Sequence, residues 1–141
     1  MAAALGAIIP EQIKGGAQMF RSKLAVATIP VSDLERSKRF YGETLGLALV
    51  NESPFAVRYD SGGGSQISIF KRPPTMTEHT LAHFEVADIE AAVRDLGAKG
   101  VVFEEYGEGP LRTTNSIAQL GPARGAWFRD PDGHILGLRQ G

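Results

Sequence analysis

The 141-residue sequence contains no cysteine. Disulfides, thiolate zinc sites, iron–sulfur clusters and a cysteine nucleophile are thereby excluded together. Histidine is scarce: His79, His83 and His134 are the only three, so any metal or acid–base site has few candidates. Neither charge sign is in excess. Fifteen Lys and Arg against 16 Asp and Glu give a net charge of −1, spread without blocks. Nucleic acid, whose phosphates require a positive patch, is not an expected partner. Long apolar runs are also lacking. Residues 2–9 are apolar and small, but eight residues fall well short of the ~20 a membrane span needs. No positive charge precedes them, as a secretory leader would require. No membrane partner is expected, and the expected location is cytoplasmic.

What is present is an ordinary globular composition, 43% hydrophobic and 22% charged, in a chain of single-domain length. Glycine is abundant, 17 residues, which points to many turns between short elements. Residues 1–22 are expected to be a flexible N-terminal extension: Pro10 ends the apolar run, Gly15-Gly16 resembles a linker, and Met19 is an alternative start. A docked helix or partner contact is the other reading of this segment. Residues 23–141 are then one domain, with modules at about 23–72 and 79–141.

Residues 24–31 (LAVATIPV) predict a strand. Ser32 and Glu35 fit a capping box at a helix start, and Leu34, Phe40, Tyr41 and Leu45 give the helix an apolar stripe. Gly46 suits the left-handed residue that ends it. Strands are expected at 47–51, 55–60 and 66–71, with a hairpin turn at Ser61-Gly62-Gly63-Gly64; Pro73-Pro74 then breaks the chain. The second half repeats this order. Residues 81–86 predict a strand, Asp88 caps a helix carrying Ile89, Ala92, Val93 and Leu96, and 101–105 predict another strand. A long loop follows at 107–122. The last strands are expected at 125–129 and 134–139, joined by the turn Asp130-Pro131-Asp132-Gly133. Val31-Ser32-Asp33-Leu34-Glu35 and Val86-Ala87-Asp88-Ile89-Glu90 correspond at an offset of 55 residues. Two similar β-α-β-β-β modules are therefore expected.

VSDLERSKRFYGETLGL after a strand, VADIEAAV in the second half and AWFRDPDGHILGL at the end resemble the vicinal oxygen chelate superfamily. This group includes glyoxalase I, extradiol dioxygenases and bleomycin-resistance proteins. The resemblance, which spans about residues 23–140, implies an α+β fold in which two tandem βαβββ modules form curled mixed sheets around a cavity. In metal-using relatives one ligand comes from each of four strands. Here the corresponding positions are Val26, Leu81, Gly137 and, on the fourth strand, Ser68, with Gln66 as the other choice. Valine, leucine and glycine side chains offer no donor to a metal. The resemblance thus points to the metal-free branch, with no cofactor.

If residues 81–86 are a strand, Leu81, His83 and Glu85 share one face, which the resemblance makes the cavity face. His83 and Glu85 would lie ~6.6 Å apart at the backbone. They are read as a hydrogen-bonded histidine beside a partly solvated acid, as a ligand-binding or proton-transfer pair, or as part of a new metal site. His79 lies roughly 13 Å along the strand from His83, too far to share a metal with it, and His134 alternates away as a structural residue. Val26 and Thr28 on the first strand, and Ile135, Gly137 and Arg139 on the last, also fall on the cavity face. Trp127 is either an aromatic plate for a ligand or a core residue; the faces taken by Trp127, Phe128, Phe55, Tyr59 and Phe70 stay open. Arg112 is a solvated loop residue or a clamp for an anion, and Glu104, Glu105 and Glu108 form an exposed edge. The candidate ligand-binding set is Val26, Thr28, Ser68, Leu81, His83, Glu85, Trp127 and Gly137, in a mostly apolar pocket where Gly137 leaves room and Glu85 is buried. The expected function is metal-free binding of a small molecule, such as an antibiotic or metabolite. The alternatives are a lyase, isomerase or dioxygenase-type enzyme, and an interaction module with a vestigial cavity. A homodimer is expected, because curled sheets leave strand edges uncovered.

Overall fold

The computed structural model describes residues 20–141. The apolar run, the glycine linker and the alternative start fall in residues 1–19, outside the described residues. Residues 20–22 are exposed and belong to no helix or strand.

The first module runs β1 (Val26–Val31), α1 (Leu34–Lys38), β2 (Ala48–Glu52), β3 (Ala56–Gly62) and β4 (Ser65–Lys71). The second runs β5 (Thr80–Glu85), α2 (Ile89–Ala98), β6 (Thr113–Thr114), β7 (Ile117–Leu120), β8 (Ala123–Arg129) and β9 (Ile135–Gln140). The strands form two mixed sheets, ordered β1-β4-β3-β2 and β5-β9-β8-β7-β6. In each sheet the first and last strands of the module pair in parallel and the other pairs are antiparallel. The fold is α+β, built from two βαβββ-like modules.

Equivalent caps start the two helices. Asp33 and Asp88 both adopt extended backbone, and each carboxylate accepts from the amide three residues on, Arg36 and Ala91. An orphan donor is satisfied in each case. Ser32 does not form the expected capping box; its amide and hydroxyl donate instead to Asp132 in the other module. Beyond Lys38 the first helix widens into π-helical turns, Arg39–Thr44, and the Leu45 amide reaches back to the Phe40 carbonyl at 2.9 Å. Gly42 accommodates the widening: a Cβ there would lie 3.3 Å from the Tyr59 hydroxyl. Gly46 ends the segment at φ +76°, a region open to glycine at little cost.

The second module departs from the expected strands at two places. Residues 101–105 contribute one bridge, Phe103 to Phe128, rather than a strand. The expected loop 107–122 contains the β6–β7 hairpin, and β7 pairs with the opposite end of β8. The fourth position of the second sheet is thus divided between two segments. Glu105 holds the hairpin: its carboxylate accepts from the Thr113 hydroxyl at 2.7 Å and from the Ser116 amide and hydroxyl at 3.2 and 2.7 Å. The Thr113 bond is the largest of the causes that hold the Glu105 carboxyl below its ordinary range. Glu105 is therefore a staple, not simply part of an exposed edge.

One core serves both modules. Ile29, Val31, Val57, Tyr59, Ile67 and Ile69 from the first sheet meet Ile89, Phe103, Ala126, Phe128, Leu136 and Leu138 from the second module. Phe40 packs between Tyr41 and Phe128, at centroid distances of 5.2 and 6.3 Å. The polar joint of this core is Tyr41, whose buried hydroxyl donates to Asp130 Oδ2 at 2.8 Å. Asp130 Oδ1 accepts from the Asp132 and His134 amides at 3.0 and 2.9 Å. His134 in turn donates from Nε2 to the Pro30 carbonyl at 2.7 Å, the structural role expected of it. Gly133 takes the positive-φ position of this turn at +92°.

Burial pushes the Asp130 carboxyl above its ordinary range, against the pull of Tyr41 and the two amides. Burial and this carboxylate also push the Tyr41 phenol far up, so it remains a donor. A raised carboxyl favours folding below its unfolded pKa, and that contribution is lost as pH rises through the folded value. Changing Tyr41 to Phe removes one of the three donors and leaves buried oxygen short of a partner. Urea unfolding of the Tyr41→Phe protein is expected to show ~1–3 kcal/mol lower stability; unchanged stability would show that this joint does not hold the modules.

Candidate functional site

Alternation divides each sheet into a core face and a helix-free face. On the first sheet Ile29, Val31, Ile67 and Ile69 turn to the core, so Val26, Thr28, Gln66 and Ser68 take the other face. Register aligns Val26 with Gln66 and Asp60, and Thr28 with Ser68 and Arg58. Thr28, Ser68 and Arg58 form a polar row across three strands. Tyr59 is a core residue, and Phe70 shares the helix-free face. Phe55 lies before β3 and is exposed.

On the second sheet Ala82, Phe84, Ala126, Phe128, Leu136 and Leu138 turn to the core. His83, Gly137 and Trp127 form one row of the helix-free face, and Glu85, Arg139 and Gly125 form the next. The open choice between Trp127 and Phe128 is thus resolved. Phe128 is fully buried in the main core, whereas Trp127 belongs to a second cluster with Ala118, Ile135, Tyr106 and Leu120. Its ring stands 5.7 Å from that of Tyr106 at 59°. It also lies over Gly125, where a Cβ would meet the indole at 3.4 Å and Leu120 at 2.9 Å.

Leu81 departs from the expected alternation. The register of β5 against β9 shifts between Thr80 and Ala82, and Leu81 packs against the main core. An extra residue in one strand re-aims its neighbours. Thr80 stands beside Gly137 in its stead, with its methyl 3.5 Å from a Cβ built there. The room expected at Gly137 is also partly taken: the same Cβ would lie 3.3 Å from His83 Cβ.

His83 and Glu85 do meet, through Nε2 and Oε2 at 2.8 Å. The pair is not buried as expected: the side chains are 50% and 59% exposed. Arg139 Nη1 donates to both Glu85 oxygens, at 3.2 and 3.4 Å. The His83 hydrogen bond is the largest cause that holds the Glu85 carboxyl below its ordinary range; Arg139 adds to it and desolvation opposes it. The candidate residues therefore form two sets, Val26, Thr28 and Ser68 on one sheet and His83, Glu85, Gly137 and Trp127 on the other. Among the described residues no side-chain hydrogen bond joins the sets. Thr80, Tyr106 and the Arg139 ion pair extend the candidate set. Strand alternation already placed Arg139, whereas Tyr106 lies outside any strand and carried no signal.

A family model, Glyoxalase/Bleomycin resistance protein/Dioxygenase superfamily, matches residues 23–138. The chain belongs to this superfamily. Among solved structures, TnmS3, an antibiotic binding protein from Streptomyces sp. CB03234, is 29% identical with a TM-score of 0.65, over 87% of this chain and 98% of that one. A glyoxalase/bleomycin resistance protein from the same organism is 30% identical with a TM-score of 0.61, over 84% and 100%. Lactoylglutathione lyase from Agrobacterium tumefaciens shares the fold at 18% identity and a TM-score of 0.62, over 86% and 95%. No curated protein matches the chain.

The metal of metal-using superfamily members does not fit the residues present. Val26 and Gly137 bring no donor side chain and Leu81 is turned to the core, so only the fourth position, Ser68 or Gln66, offers an oxygen. Among the described residues no three His, Asp or Glu side chains are grouped to hold an ion. Acid should weaken the pair that is present. A depressed carboxyl contributes above its unfolded pKa, and the contribution is lost as pH falls through the lower folded value. Carboxyl NMR of Glu85 is expected to give a lower midpoint in the native protein than in the His83→Ala variant. Equal midpoints would show that the hydrogen bond does not form in solution.

Proposed function

We propose that the chain is a small-molecule-binding protein of the bleomycin-resistance type, which takes its ligand on the helix-free faces of its two sheets without a metal. The observation that carries this reading is the helix-free face of the second sheet. Tyr106, half-buried against the buried Trp127, supplies aromatic surface on the side of the sheet that carries a polar pair fixed by Arg139. Ligand sites combine apolar area with a few oriented polar groups. On the first sheet Thr28, Ser68 and Arg58 add donors, and Gln66 Oε1 is a buried acceptor without a partner among the described residues. TnmS3 is an antibiotic binding protein, which favours an antibiotic-like ligand. In this reading residues 23–141 form one domain, the sheets curl around the ligand, and the protein is cytoplasmic. Among the described residues no helix is long and apolar enough to cross a membrane.

A homodimer belongs to the same reading. Every residue of the edge strand β2 is exposed. Leu49, Val50 and, just beyond the strand, Phe55 at 72% exposure are apolar. Apolar surface on a strand edge favours pairing with another chain. Sedimentation at micromolar concentration is expected to show a dimer that the Leu49→Lys change weakens; a monomer would overturn this element of the proposal.

Trp127 is the only tryptophan, so its emission reports on this face. Bleomycin, the antibiotic in the superfamily's description, is the first probe. Titration is expected to change Trp127 emission to saturation, with and without a chelator of divalent ions. The His83→Ala change should weaken binding about tenfold, by loss of one hydrogen bond to the ligand, with the circular dichroism spectrum unchanged. Binding that needs added metal, or that is indifferent to His83, would overturn the reading. Turnover of the probe would favour the enzymatic alternative, with His83 and Glu85 moving the proton.

A further inference from the structure

The opposite side of the second sheet carries a groove that the proposed ligand face does not use. It lies between α2 and the β6–β7 hairpin and has a volume of about 600 Å³, within the ~300–1,000 Å³ typical of small-molecule sites. Val93 on the helix and Ile117 on the hairpin supply apolar lining. Three arginines, Arg94, Arg112 and Arg124, line the groove together with one acid, Glu90.

Hydrogen bonds among the lining residues and to their neighbours set the walls. Arg124 donates to Glu90 Oε2 at 3.0 Å and to Gln140 Oε1 at 3.2 Å. Gln140 Oε1 also accepts from the Ile89 amide at 2.8 Å. The floor is thus tied to the start of α2. The hairpin wall is held by the Glu105 staple, and Arg112 directly precedes it. Glu90 offsets Arg124, Asp95 partly offsets Arg94, and Arg112 keeps its charge. Arg94 meets only Asp95, at 3.8 Å with both side chains largely exposed. Arg112 makes no side-chain hydrogen bond or ion pair among the described residues. Like charges around one concavity raise the local potential and favour an anion. A guanidinium fork matches a carboxylate in two parallel bonds.

We propose that this groove binds a small aromatic carboxylate, with the carboxylate between Arg94 and Arg112 and the ring against Val93 and Ile117. The site is separate from the Trp127 face, so either can fail without the other. The probe is 2-naphthoate, followed by amide chemical shifts and calorimetry on the full chain. Arg94 and Arg112 are exposed, so Arg94→Gln and Arg112→Gln should fold normally. Shifts are expected at Val93, Arg112 and Ile117, and each substitution should weaken binding about tenfold. The uncharged analogue 2-naphthalenemethanol should bind at least about tenfold more weakly on the same grounds. Shifts confined to Trp127 and its neighbours would overturn the proposal, as would affinity indifferent to both substitutions. Inorganic phosphate binding as tightly as 2-naphthoate would also overturn it, because the apolar wall would then contribute nothing.

Discussion

The hydroxyl of Tyr41 reaches across the molecule to a carboxylate in the turn between β8 and β9, and the packing of one module on the other depends on that bond. Two similar modules have no covalent reason to adopt one relative orientation, since a linker of several residues joins them. Apolar contact favours association but is weakly directional. Tyr41, Asp130 and His134 supply direction, because a buried donor or acceptor without its partner is costly. Asp132 adds a second point, receiving Ser32 and, at 3.2 Å, Arg36. One four-residue turn thereby grips both the end of β1 and the first helix.

The position of the helix-free faces follows from that joint. The core sides of both sheets meet one another and the helices, so the other face of each sheet carries no helix. On the second sheet a one-residue irregularity in β5 decides which side chains stand there. It moves Leu81 to the core and brings Thr80 beside Gly137, so the face is more polar than a regular strand would make it.

Much of the architecture was legible in the sequence because local signals agreed with one another. Asp88 caps as read, while Asp33 takes the cap expected of Ser32 one residue earlier; Gly46 and Gly133 take positive φ, and the paired modules follow from the matching strand–helix junctions. What escaped reading has physical causes. The faces of Trp127 and Phe128 are undetermined by pattern because β8 is apolar on both sides, and alternation carries no information there. The shift at Thr80 leaves residues 81–86 looking like a regular strand, since a bulge is a property of the pair and not of one chain. The first arm and turn of the β6–β7 hairpin are Thr113, Thr114, Asn115 and Ser116, too polar and short to read as a strand, and Glu105, eight residues before Thr113, does much to hold it. The exposure of His83 and Glu85 depends on what lies above the sheet, which no spacing encodes. The His83–Glu85 contact itself was legible, because residues two apart on a strand share a face.

The last hydrogen bond of the joint bears on how copies of this chain can associate. Pro30 sits in β1, an edge strand, and has no amide hydrogen to offer a newcomer. Its carbonyl is already taken by His134. One border of the first sheet is thus interrupted by a side chain from the same molecule, while the β2 border stays free. A sheet with two free borders can add strands at both and grow into a fibre. A sheet with one can join a second copy of itself and then has no border left. His134, one member of the joint between the modules, thus also closes one border of this sheet to a further strand at Pro30.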